Sequence, residues 1–363
     1  MLKELLEKGI SDGAFPGAAY AIGTPDKVEY GYAGRLMYSP ESPVVDADTL
    51  WDLASVTKVV STTSSAMLLY QQGRLDLEAH ATSYVPRFRH DQVTIRQLLT
   101  HSSGLPAYCS FQLKNETPEQ AENELFSLNL RTAVPPKTEY SCMGFMMMQR
   151  VIESISGVKL DQFVRENVHG PLGMTDTMYN PALADRPRCA VEEKYDAWRK
   201  SIEDKRGFVR VNEEYIQGTV HDPAAFMMGG VSGNAGLYSK PKDLGHWMQE
   251  LIRGGDKVYK PEVLKEWIKR QSQVSTRALG FDTKSEKGSS AGRRFSMSSF
   301  GHTGYTGTTV WMDPTNKFFA CLLTNRVHPT SENSKITEFR PVFHDAVWDR
   351  LKGRRVQGTG FTL

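Results

Sequence analysis

The sequence predicts an α/β (α+β) fold: an antiparallel sheet flanked by helices and built from both termini, with an inserted, mainly helical lobe. Three observations predict it. Strand-like runs lie near the N-terminus, a second set lies near the C-terminus, and the long middle carries apolar residues at helical spacing. A length of 363 residues allows one large unit, 1–363, or two lobes. The approximate lobes are 1–60 plus 290–363, and 61–289.

The elements follow in order. Leu2, Leu5, Leu6 and Ile10 share one face of a first helix, and charges fill the other. Gly17 to Ile22 reads as a strand, Thr24 to Lys27 as a turn, and Val28 to Ala33 as the returning strand. Val59 to Gln72 reads as a helix that stops at Gly73, and Val93 to Thr100 as a short helix ended by Ser102-Ser103-Gly104-Leu105-Pro106. Phe145, Met146, Met148, Val151, Ile152 and Ile155 recur at helical spacing between Gly144 and Ser156, with Gly157 after them. Leu244 to Ile252 and Pro261 to Arg270 are two more helices. Gly307 to Met312 and Phe318 to Thr324 are β-rich runs joined through Asp313 to Lys317, and a helix from Ile336 to Leu351 closes the fold.

Composition excludes several functions. Lys+Arg 44 against Asp+Glu 42 leaves a net charge of +2, which recommends neither nucleic acid nor acidic lipid as a partner. No run approaches the ~18 apolar residues of a membrane span. The first ten residues form an amphipathic helix rather than a signal peptide, so the chain as written is expected in the cytoplasm, or secreted if the true N-terminus is longer. Cys109, Cys142, Cys189 and Cys321 are widely spaced without CxxC pairing, which fits free thiols rather than disulfides or zinc. Oligomeric state stays open.

Three segments carry candidate chemistry. In Trp51-Asp52-Leu53-Ala54-Ser55-Val56-Thr57-Lys58, a serine stands where an extended segment turns into a helix, and Lys58 lies one turn on. A serine needs a neighbouring base, and burial turns a lysine into one. The spacing alone is weak, because it recurs at Ser156–Lys159 and Ser239–Lys242. Tyr140 precedes the methionine-rich helix, where a phenol near a lysine can relay protons. Phe300-Gly301-His302-Thr303-Gly304-Tyr305-Thr306-Gly307 places three glycines before a strand, as at a site of close ligand approach. His302 has no second ligand at metal spacing, and His101 reads as a turn residue. There is no phosphate-binding G-x-x-x-x-G-K-[ST] loop.

In this order the three segments resemble the serine β-lactamase and penicillin-binding protein superfamily, in its class C β-lactamase, DD-peptidase and esterase branch. Phe15-Pro16-Gly17-Ala18, Leu98 to Pro106 and Gly229 to Leu237 extend the likeness over nearly the whole chain. The resemblance implies a β-lactamase/transpeptidase-like fold and a hydrolase acting through an acyl-enzyme on Ser55. Lys58 and Tyr140 would share the proton work, and the N–H groups of Ser55 and Tyr305 would form the oxyanion hole. His302, Thr303 and Gly304 would hold substrate, with no metal or organic cofactor. The substrate would be a small ester, peptide or β-lactam-like molecule.

Three positions depart from that pattern. Cys142 stands where an asparagine is common, His302 where many relatives have lysine, and Thr330 where a β-lactamase turn usually has asparagine. A thiol orients an amide poorly and a neutral imidazole holds no carboxylate by charge; Arg326 is the candidate to compensate. These departures favour an esterase- or peptidase-like hydrolase over a dedicated β-lactamase or DD-carboxypeptidase. A non-catalytic penicillin-binding or ligand-binding protein is the alternative of another class.

Overall fold

A computed structural model describes residues 2–131 and 138–352, so residues 353–363 of the C-terminal segment lie outside it. Strands from the two ends pair into one antiparallel sheet of six. The N-terminal hairpin is β1 (Gly17–Gly23) and β2 (Val28–Gly34). The later strands are β3 (Asp282–Thr283), β4 (Phe300–Thr303), β5 (Thr309–Asp313) and β6 (Phe318–Thr324). The order is β2-β1-β6-β5-β4-β3. β1 lies beside β6, with Ala21 opposite Cys321.

The alternation along these strands divides two cores. Ala18, Tyr20 and Ile22 of β1 join Phe318, Ala320 and Leu322 of β6 on one face. The helices α1 (Leu2–Ser11) and α5 (Ile336–Leu351) cover that face through Leu2, Leu6, Phe339 and Phe343. Ala19, Ala21, Phe319, Cys321 and Leu323 point the other way, into the larger core. That core takes in α2 (Ser64–Gln71), α3 (Cys142–Ser156) and α4 (Pro241–Arg253). A sheet buried on both faces explains why β1 and β6 have no exposed residue.

Some elements differ from the sequence reading. The run expected from Gly307 begins as a strand only at Thr309. Gly304 N–H bonds to Thr308 O at 2.8 Å and Gly307 has a φ of 111°, so these residues form a turn. The helix expected from Val59 starts as a 3-10 turn, Ala54–Val56, and a π-helical stretch, Lys58–Thr63, before α2. The middle of the chain also holds helices at Pro118–Ser127, Ala197–Lys205 and Pro223–Met227. Among its described residues are two small sheets and β3 itself, whose strands of two to four residues are too short to show a clear period of two.

The pairing of β4 positions the site. β3 contacts it only at Phe300 and Gly301, so the ladder on that side ends before His302 and Thr303. On the other side β5 pairs through to Thr303, opposite Thr309. One edge of the last two residues of β4 is therefore left open for an extended ligand.

Buried histidines make the fold acid-sensitive. Burial lowers His344 and His169 to about 4. An unfolded chain takes up these protons near the ordinary 6.5, so stability is lost as pH falls from that value towards 4. Glu192 and Asp52, raised by burial, act in the opposite sense. The contribution of one histidine is therefore read from a variant. Relative to wild type, His344→Phe is expected to gain about 2 kcal/mol between pH 7 and pH 5 in denaturant titrations. Parallel curves at both pH values contradict that assignment.

Candidate active site

The segment before Ser55 is held from several directions. Asp52, in a two-residue strand, is buried and its carboxylate accepts the N–H groups of Ala54 and His221, each at 2.8 Å. Ala54 has a φ of 46°, a left-handed conformation that an alanine adopts at a cost of about 1 kcal/mol. It reverses the chain so that Ser55 opens a helical turn. The hydroxyls of Thr306 and Thr308 donate to the Asp52 and Leu53 carbonyls, each at 2.8 Å. These two bonds fix the turn after β4 against the segment that carries Ser55. Tyr305 belongs to that turn, directly before Thr306.

Lys58 is completely buried. Its Nζ donates to Ser55 Oγ at 3.0 Å, to the Asn234 carbonyl at 3.0 Å and to Cys142 Sγ at 3.4 Å, and lies 4.9 Å from the centre of the Tyr140 ring. Burial is the largest influence on its pKa and pulls it down, while negative charge on Cys142 or Tyr140 pulls it above its ordinary value. With both neighbours neutral, Asp222 still pulls upward against burial. Burial raises the Tyr140 pKa, and hydrogen bonds to Lys58 and Ser55 oppose the rise. Serine, lysine and tyrosine thus share a proton network: both directions favour an ammonium–phenol pair, and loss of one proton leaves an amine–phenol or an ammonium–phenolate pair as alternative states.

Tyr140 stands just before α3. Ser141 caps that helix, accepting the Gly144 N–H at 3.1 Å while donating to the Pro106 carbonyl at 2.8 Å. Cys142 is the first residue of α3 and faces Lys58. The aromatic side of the site is a stack: Phe145, His101, Tyr140 and His302, with neighbouring ring centres 5.1, 4.5 and 6.0 Å apart.

His302 is buried, with Nδ1 2.8 Å from the Thr303 carbonyl. Burial, then Lys58 and Arg277, hold its pKa well below the ordinary value, so it is neutral and supplies no fixed charge. Arg326 does not reach towards substrate. Its guanidinium donates to the carbonyls of Tyr305, Ser331 and Asn333 at 2.7 to 2.8 Å and packs 4.3 Å from the Tyr305 ring. It shapes the loop under Tyr305 instead, because three carbonyls there need a donor. Thr330 is exposed and its hydroxyl accepts the Glu332 N–H at 3.3 Å.

Three further residues belong to the site. Asn234 supplies a carbonyl to Lys58, His101 packs on Tyr140, and the Arg277 guanidinium lies 5.3 Å from the Tyr140 ring centre. Asn234 and His101 lie within stretches that carried the resemblance, but their roles are set by folding. Arg277 has no sequence signal. Among the described residues no three His, Cys, Asp or Glu side chains gather as a metal ion would need. No helix among them is long and apolar enough to cross a membrane.

The beta-lactamase family model matches residues 2–340. The chain belongs to the beta-lactamase family. One relative of this family member is a putative D-alanyl-D-alanine carboxypeptidase of Salmonella gallinarum (strain 287/91 / NCTC 13346). It is 29% identical over 314 residues, 80% of this chain and 72% of that protein. Among solved structures, "EstCE1, a hydrolase with promiscuous acyltransferase activity" is similar with a TM-score of 0.75 at 19% identity, over 96% of this chain and 97% of that one. The octameric penicillin-binding protein homologue from Pyrococcus abyssi is similar with a TM-score of 0.71 at 19% identity, covering 98% and 77%. The beta-lactamase-family chain is a hydrolase with the mixed α/β fold of these proteins.

Proposed function

We propose that Ser55 is the nucleophile of an esterase- or peptidase-like hydrolase, with Lys58 and Tyr140 as its proton carriers. The observation that carries this reading is the 3.0 Å bond between the buried Lys58 amine and Ser55 Oγ. In the amine–phenol state Lys58 takes the Ser55 proton as Oγ attacks the substrate carbonyl. The N–H groups of Ser55 and Tyr305 face the oxyanion that develops. Tyr140 passes a proton to the departing alkoxide or amine and is recharged by Lys58. Water, deprotonated by the same pair, then cleaves the acyl ester and releases the acid.

The substrate lies along the open edge of His302 and Thr303. The carboxypeptidase-like relatives and the acyltransferase-like neighbour favour peptide and ester substrates alike. Cys142 favours esters. Beside Lys58 it offers a thiol where an amide side chain would hold a substrate amide. Cys142→Asn is expected to raise the ratio of amide or β-lactam to ester kcat/KM about tenfold, the value of one oriented hydrogen bond. An unchanged ratio removes Cys142 from the control of specificity.

Intact-mass spectrometry tests the whole reading. After separate exposure to a p-nitrophenyl ester, a D-alanyl-D-alanine peptide and a penicillin, the expected outcome is one acyl group on Ser55, short-lived with the ester. A long-lived penicillin adduct without ester turnover points to a ligand-binding protein instead.

A further inference from the structure

We propose that His101 is a positioning residue that holds Tyr140 in its proton-carrying place; this rests on the reading of Tyr140 given above. His101 grips the chain on both sides of that tyrosine. Its carbonyl accepts the Glu139 N–H at 3.0 Å, and its ring Nδ1 accepts the Ser141 N–H at 2.9 Å. The ring itself lies against Tyr140, with centres 4.5 Å apart, and is backed by Phe145. One residue therefore holds the chain on both sides of the phenol, its carbonyl before Tyr140 and its ring after and against it.

The chemistry of this contact is specific. A backbone N–H only donates, so Nδ1 has to be the bare nitrogen and the proton sits on Nε2. His101 is 2% exposed. Burial, then Arg277, Lys58 and His302, hold its pKa well below the ordinary value and keep that tautomer neutral. A proton on Nδ1 would set donor against donor and add a cation beside Lys58. The residue also has a φ of 57°, so the substitution best suited to its backbone is asparagine. Asparagine Oδ1 also occupies nearly the place of Nδ1 as an acceptor. The turn that sequence reading assigned to His101 is real, and the ring does a second task.

A double-mutant cycle on ester hydrolysis tests the proposal, with folding followed by thermal melting. Tyr140→Phe is expected to lower kcat about 10²-fold or more. His101→Phe keeps a ring and removes the acceptor; it is expected to lower kcat about 30-fold with little change in KM. His101→Asn is expected to stay within about fivefold of wild type. In the Tyr140→Phe background, His101→Phe should add almost nothing, because the group it positions has lost its proton. Wild-type kcat in His101→Phe, or a full additional loss in the double variant, overturns the proposal. If His101→Phe does not fold, His101→Gln, which moves the acceptor outwards, takes its place in the same comparison. A Tyr140→Phe variant with wild-type kcat overturns instead the reading of Tyr140, and with it the ground for this proposal.

Discussion

Ser55→Ala is expected to abolish ester turnover while the protein stays folded. The substitution removes the oxygen that forms the acyl bond. The chemistry left is what the oxyanion donors and binding alone provide, so kcat should fall by on the order of 10⁴-fold or more. The structural cost is small. Ser55 is half-buried, and its side chain gives up its hydrogen bonds with Lys58 and Tyr140, each worth about 1 kcal/mol. The backbone elbow is held by Asp52, Thr306 and Thr308, none of which touches the Ser55 hydroxyl. Melting should therefore barely change, and intact-mass spectra should show no acyl adduct. An adduct that persists in Ser55→Ala places the nucleophile elsewhere, with Cys142 the first residue to examine by peptide mapping.

Lys58→Met is the second large effect. Methionine fills most of the lysine's volume without the amine. The acylation rate is expected to fall about 10³-fold, within the range typical of a positioned general base. Stability should move the other way or stay level. A completely buried ammonium costs desolvation free energy, which an apolar side chain of similar shape relieves. The Asn234 carbonyl loses its donor, and this offsets part of the gain. Stopped-flow release of p-nitrophenolate and thermal melting separate the two quantities. Undiminished acylation in Lys58→Met makes Tyr140 alone the base.

Much of the fold was legible because the terminal strands are long. Gly17 to Gly23 and Phe318 to Thr324 each run for seven residues, enough for strand character to show. Trp51–Asp52, Met178–Tyr179 and Asp282–Thr283 have two residues each, and two residues carry no period. The π-helical stretch at Lys58–Thr63 was equally hidden, since its pattern of buried residues is continuous rather than periodic. Gly307 looked like the start of a strand because glycine marks both bulges and turns, and only its φ of 111° decides between them.

For the site, the sequence by itself determined which groups can react. Ser55 and Lys58 are one helical turn apart, so their meeting is a local property of the chain. Tyr140 and the His302-Thr303-Gly304 segment were found by order and resemblance, not by any local rule. Tertiary structure alone decided which of the remaining groups face that centre. Arg326 turned away because loop carbonyls claimed its guanidinium, whereas Arg277 arrived over Tyr140 without a motif. His101 became part of the site because its ring found a backbone donor beside Tyr140. The charge of His302 was settled the same way. Its neutrality follows from burial beside Lys58 and Arg277, and such surroundings exist only once the β4 end, the Ser55 turn and the start of α3 are packed together.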